Sequence, residues 1–67
     1  MFKFYSYEVF GELDSDIVKF CKKNNLGCSD NGRTIIFAGQ KEDLQKLHDE
    51  FFNEYEFNIE EVKVEQV

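Results

Sequence analysis

The sequence predicts an α+β domain in which four strands make one antiparallel sheet and two helices cover a single face of it, in the order β-α-β-β-α-β. Three observations carry that expectation. Strand-like segments open and close the chain, two internal stretches repeat apolar residues at helical spacing, and an Asn31-Gly32 pair separates two short β-prone runs.

Each element has a local cause. Residues 2–10, FKFYSYEVF, are aromatic and β-branched with Lys3, Ser6 and Glu8 interspersed, which reads as a strand that Gly11 ends. Asp14 stands where a helix N-cap belongs, with Leu13 before it and Val18 four residues after it as a hydrophobic staple. Ile17, Phe20 and Cys21 recur at helical spacing, Lys22 and Lys23 fall in the last turn where cations favour the dipole, and Asn25 or Gly27 supplies the left-handed terminal residue. Residues 26–29 and 33–38 then form two strands around Asn31-Gly32, a dipeptide that readily takes positive φ at both turn positions. Gly39 and Gln40 open a second helix with Leu44, Leu47, His48, Phe51 and Tyr55 on one stripe, and Val62, Lys63, Val64 and Glu65 alternate as the last strand.

Helices this short cannot bury themselves. Four strands in this order are most economically arranged as a split βαβ, or ferredoxin-like, sandwich, whose right-handed crossovers place both helices on one face and leave the other open. Ile17, Phe20, Cys21, Leu44, Leu47, Phe51 and Val64 are the expected core, and no repeat or linker divides residues 1–67 into more than one domain. A core in a chain of 67 residues supplies only roughly 3–5 kcal/mol unaided. A homodimer is therefore expected, through aromatics that one helix layer cannot cover: Phe2, Phe4 and Phe37 on the sheet, or Phe52 and Phe57 near the C-terminal segment.

No residue set reads as catalytic, and no metal or cofactor is expected. His48 is the one histidine and has no ligand at metal spacing, so it reads as structural or interfacial. Cys21 and Cys28 read as reduced structural thiols, Cys21 on an apolar helix face where a thiol is inert. Glu12, Asp14 and Asp16 suit a helix N-terminus, and the SDNG stretch lacks the further oxygen ligands of a calcium loop. No run approaches the roughly 18 apolar residues of a membrane span, and the N-terminus has no signal-peptide pattern. A cytoplasmic protein is expected, in the host cytoplasm if a phage encodes it.

Two families share the expected topology. The RNA-recognition domain stacks bases on strand aromatics, yet RTIIFAG does not match its basic third-strand motif and a net charge of −6 repels phosphate, so no direct nucleic-acid binding is expected. The stretch VFGELDSDIVKFCKKNNL resembles the first strand, glycine turn and first helix of the small-molecule-sensing ACT domain, with Gly11 at the place of its effector-loop glycine. That resemblance implies a regulatory subunit that binds a small molecule.

Charge is distributed unevenly. Residues 1–39 hold five acids and five bases, whereas residues 40–67 hold nine acids and three lysines and so carry the entire net charge of −6. Glu42 and Asp43 suit a helix start, and Glu42 has Lys46 at i,i+4. Glu54 and Glu56 approach a helix end, where the dipole disfavours them, and Glu50 with Glu54 is a like-charge i,i+4 pair. Glu42, Asp43, Asp49, Glu50, Glu54, Glu56, Glu60 and Glu61 are therefore the candidate partner-binding residues, facing a basic, nucleic-acid-binding protein. On a helix spanning residues 42–56, of about 21 Å, Glu42, Asp43, Asp49, Glu50, Glu54 and Glu56 less Lys46 put one net charge per ~4 Å, against one per ~1.7 Å of duplex, and a dimer would reach ~2 Å. Small size, this polarity, and a composition with one alanine, one arginine and no proline that suits an AT-rich genome together resemble the profile of inhibitors used by phages in host takeover. The expected function is a non-enzymatic inhibitor acting as a DNA mimic. An antitoxin-like protein binding through an aromatic sheet face is the other reading.

Overall fold

In the computed structural model, which describes residues 3–62, the chain runs β1 (Phe4–Phe10), α1 (Ser15–Lys23), β2 (Gly27–Asp30), β3 (Thr34–Gly39), α2 (Lys41–Phe51) and β4 (Ile59–Val62). The strands form one sheet in the order β2-β3-β1-β4, with every neighbouring pair antiparallel. Each β-α-β unit is thus split by a strand of the other, β3 lying between β1 and β2, and β1 between β3 and β4. This is the expected ferredoxin-like α+β arrangement.

Local chemistry sets most boundaries. The Asp14 Oδ1 accepts from the Ile17 N–H at 2.9 Å and caps α1 as anticipated. At the other end Asn25 takes φ 57°, the left-handed conformation that asparagine tolerates, and the chain turns at once into β2. The β2–β3 connection is a hairpin, but only Gly32 has positive φ there (97°). The Asn31 N–H donates to the Thr34 carbonyl at 3.1 Å, so the two loop residues are Gly32 and Arg33, one place later than expected, and side chains add to the closure. Asn31 Oδ1 accepts from the N–H groups of Arg33 and Thr34, and Asp30 Oδ1 accepts from the Gly32 N–H.

Alternation along the central strands decides where the core lies. Tyr7 and Val9 of β1 point to the helices, and the register sets Tyr7 beside Phe37 and Val9 beside Ile35. With Ile17, Cys21, Leu26, Leu44, Leu47 and Phe52 they form a single buried cluster, so both helices cover the same face. Burying side chains of this size stabilises a fold by about 1.5–3 kcal/mol each before entropy is counted. Of the anticipated core, Ile17, Cys21, Leu44 and Leu47 are fully inside. Phe20 and Phe51 are instead half-buried at its rim, edge-on to each other with centroids 5.5 Å apart. Val64 lies outside the described residues.

Two placements differ from expectation. Phe37 is 0% exposed and Phe52 is 8% exposed, so both anchor the core of a single chain and offer no dimer surface. The physical reason for Phe37 is register, which puts it on the helix-covered face. α2 also stops at Phe51, short of the expected reach to Tyr55, because Phe52 leaves the helix and turns inward.

Candidate functional site

Side chains that alternate away from the core form the open face of the sheet. Phe4, Ser6, Glu8 and Phe10 of β1 share it with Thr34, Ile36 and Ala38 of β3 and with Glu60 and Val62 of β4, by the pairings Phe4 with Val62, Ser6 with Glu60, Glu8 with Ile36 and Phe10 with Thr34. Four large apolar side chains on this face are exposed, Phe10 most of all at 75%, with Phe4, Ile36 and Val62. Between them the surface dips where Ala38, Ser6 and Gly27 sit in one row. Glu8, Glu60, Ser6 and Asn58 line a shallow hollow of about 230 Å³. The Thr34 hydroxyl donates to Glu8 Oε2 at 2.9 Å and holds that carboxylate in place. Exposed apolar side chains grouped on one face are the kind of surface that marks contact with another molecule.

The remaining acids spread over several surfaces. Glu42 and Glu50 are exposed on α2, while Asp43 is half-buried beside a hollow of about 340 Å³ that Phe4, Asn25, Gly39 and Gln40 also line. Asp49 Oδ1 accepts from Gln45 Nε2 at 3.0 Å and faces His48 Nδ1 at 3.1 Å. Glu54 and Glu56 follow the helix in an exposed turn, where Glu56 accepts from Asn58 Nδ2 at 3.0 Å. Glu60 joins the open face, whereas Glu61 pairs with Tyr5 on the opposite parity. The eight acids therefore form no single surface, and the sequence argument from helix position does not apply to Glu54 and Glu56.

Their charge nonetheless goes largely unpaired. Among the described residues the one ion pair within 4.0 Å is His48 with Asp49, and the expected Glu42–Lys46 pair is not made. α2 carries four acids against Lys41 and Lys46 over its 11 residues. At about 1.5 Å per residue that is one net charge per ~8 Å, far sparser than the ~1.7 Å of duplex DNA. Two such helices side by side would still reach only ~4 Å, so α2 is not a phosphate-spaced rod.

His48 has a structural task. Its Nε2 lies 2.6 Å from the Tyr55 carbonyl oxygen, and its ring packs against Phe57 and edge-on to Tyr7. It ties the turn after α2 back to the helix, which places Phe57, half-buried, against the core. Phe2 lies outside the described residues. No cluster of three or more histidine, cysteine or acidic side chains capable of holding a metal occurs among the described residues, and no helix is long and apolar enough to cross a membrane.

Sequence reasoning placed Phe4 and Glu60 on candidate surfaces but missed Phe10, Ile36 and Glu8 as their neighbours. The alternation Phe4, Ser6, Glu8, Phe10 held that signal. Compared with known proteins, the chain matches no family model, no curated protein and no solved structure.

Proposed function

We propose that this chain is a non-enzymatic binding protein that uses its open sheet face to occupy a basic, nucleic-acid-binding surface of another protein. The observation that carries the reading is the combination of Phe4, Phe10, Ile36 and Val62 with the carboxylates of Glu8 and Glu60 on one face. Apolar side chains anchor such a contact and the carboxylates select cations across it. The unpaired acids of α2 and the following turn add a field that speeds encounter over about 8–10 Å. Blocking a nucleic-acid-binding surface makes the protein an inhibitor, in keeping with the phage-like profile of its composition, without requiring duplex-like charge spacing.

Capture from bacterial lysate on the immobilised protein tests this. The bound protein should be basic, should elute with salt and should be displaced by duplex DNA. A partner that DNA does not displace would contradict the reading.

A second use of the same face is a homodimer, favoured by the four exposed apolar side chains. Two copies sharing it would bring Glu8 and Glu60 of one against those of the other, a like-charge contact that a basic partner avoids. Sedimentation at high micromolar concentration separates the two uses: a stable dimer that blocks capture supports self-association, and a monomer supports the basic partner.

A further inference from the structure

Cys21 and Cys28 flank the turn that joins α1 to β2. Cys21 is buried on the inner face of the helix, and Cys28, half-buried, stands opposite Phe37 on the side of the sheet that α1 covers. The turn between them is tight. The Leu26 N–H donates to the Cys21 carbonyl at 2.8 Å and Asn25 takes the left-handed conformation, so the chain doubles back beneath the helix it has just left. Both thiols therefore face the space between α1 and β2, Cys28 packed against the buried cluster that contains Cys21. Both are free sulfhydryls in the structure.

We propose that Cys21 and Cys28 form a redox-sensitive pair that closes an intramolecular disulfide between α1 and β2 on reaction with a peroxide. Cys28 is the more accessible and meets the oxidant first. Its thiolate attacks one oxygen of hydrogen peroxide, the O–O bond breaks, and the departing hydroxide takes a proton to leave as water, giving a sulfenic acid on Cys28. The Cys21 thiolate then attacks the Cys28 sulfur. An S–S bond forms, the S–O bond breaks, and the hydroxide released leaves as water with the proton that Cys21 gave up. Overall two thiols are oxidised and one hydrogen peroxide is reduced to two waters.

Cys21 sets the pace. Burial first, and then the adjacent Cys28, push its thiol up to about 12, and only the thiolate attacks. Disulfide closure should therefore accelerate with rising pH, roughly tenfold per unit while the thiol form dominates.

The inference is independent of the proposed docking surface and is tested on the purified, reduced protein with hydrogen peroxide. Intact mass should fall by two hydrogens, both thiols should vanish from a titration under denaturing conditions, and the band on a non-reducing gel should stay monomeric. Dithiothreitol should reverse all three. With Cys28→Ser, Cys21 should survive the same treatment unmodified, and with Cys21→Ser, dimedone should trap a sulfenic acid at Cys28. Persistence of both thiols, gain of oxygen without loss of hydrogen, or a dimer crosslinked between chains would each overturn the proposal. If Cys21→Ser does not fold, the wild type and Cys28→Ser decide it.

Discussion

Tyr7 is the residue that the fold treats least well. It is fully buried in a ring of aromatics with Phe37, Phe52, Phe57 and His48, and its hydroxyl has no hydrogen-bond partner among the described residues. An unsatisfied buried hydroxyl costs about 1–3 kcal/mol, so Tyr7→Phe should stabilise the protein by about 1–2 kcal/mol in denaturant melts, where most core substitutions destabilise. A loss of stability would mean that the hydroxyl does have a partner. Burial, and secondarily the nearby Tyr55, raise the Tyr7 phenol above 10.0, and burial raises the Cys21 thiol from 9.0 to about 12. Both groups are held neutral in the fold and ionise more readily when it opens. Their contribution is therefore complete below the unfolded values and is lost as pH rises through the folded ones. Stability should decline from about pH 9 upward, and Tyr7→Phe should soften the part of that decline above pH 10. A flat profile from pH 8 to 11 in thermal melts would remove both groups from the account.

At the level of elements, the same physics explains what could and could not be read from the sequence. The α1 cap at Asp14 and the left-handed Asn25 were legible because each is a short-range preference of one side chain for its own backbone. The place of the hairpin was legible for the same reason. Its register was not, because the Asn31 and Asp30 side chains accept loop N–H groups and hold a two-residue loop at Gly32–Arg33 instead of Asn31-Gly32. The end of α2 was hidden: Phe51, Phe52 and Tyr55 continue the apolar period past it, and the stop is imposed by Phe52 entering the core. Nor does the run Ile35, Ile36, Phe37, Ala38 announce which parity faces inward, since a one-residue shift would exchange the two faces. Two substitutions test these assignments. Phe37→Ala should cost about 3–5 kcal/mol, against about 1–2 kcal/mol for the half-buried Phe51→Ala. Equal costs would contradict the placement of Phe37 at the centre. His48→Leu should release the Tyr55 turn at a cost of about 1–2 kcal/mol, with faster amide exchange confined to residues 52–58. Unchanged exchange there would deny His48 its tethering role.

Across the whole molecule, composition pointed to an acidic protein with surplus aromatics, and the fold separates those two properties. Tyr7, Phe37 and Phe52 are buried with Phe57 packed against them, and the charge is divided between the α2 end and the open sheet face. Among the described residues, Phe4, Phe10, Ile36 and Val62 lie exposed with Glu8 and Glu60, whereas the turn after α2 exposes Tyr55 alone of the large apolar side chains, which is why that face, more than the acidic helix, is proposed as the docking surface. Charge reversal at either location should leave the fold intact, since exposed substitutions stay within about 0.5 kcal/mol. The most direct measurement is therefore a competition titration of the captured basic partner against duplex DNA, with Glu8→Lys/Glu60→Lys and Glu50→Lys/Glu54→Lys compared with the wild type. The open-face pair should abolish competition, because like charges then meet inside the contact, while the helix-end pair should slow association and leave dissociation nearly unchanged. If the open-face reversal competes as well as the wild type and the helix-end reversal does not, the docking surface lies on α2 and its following turn, which contradicts docking through the open face.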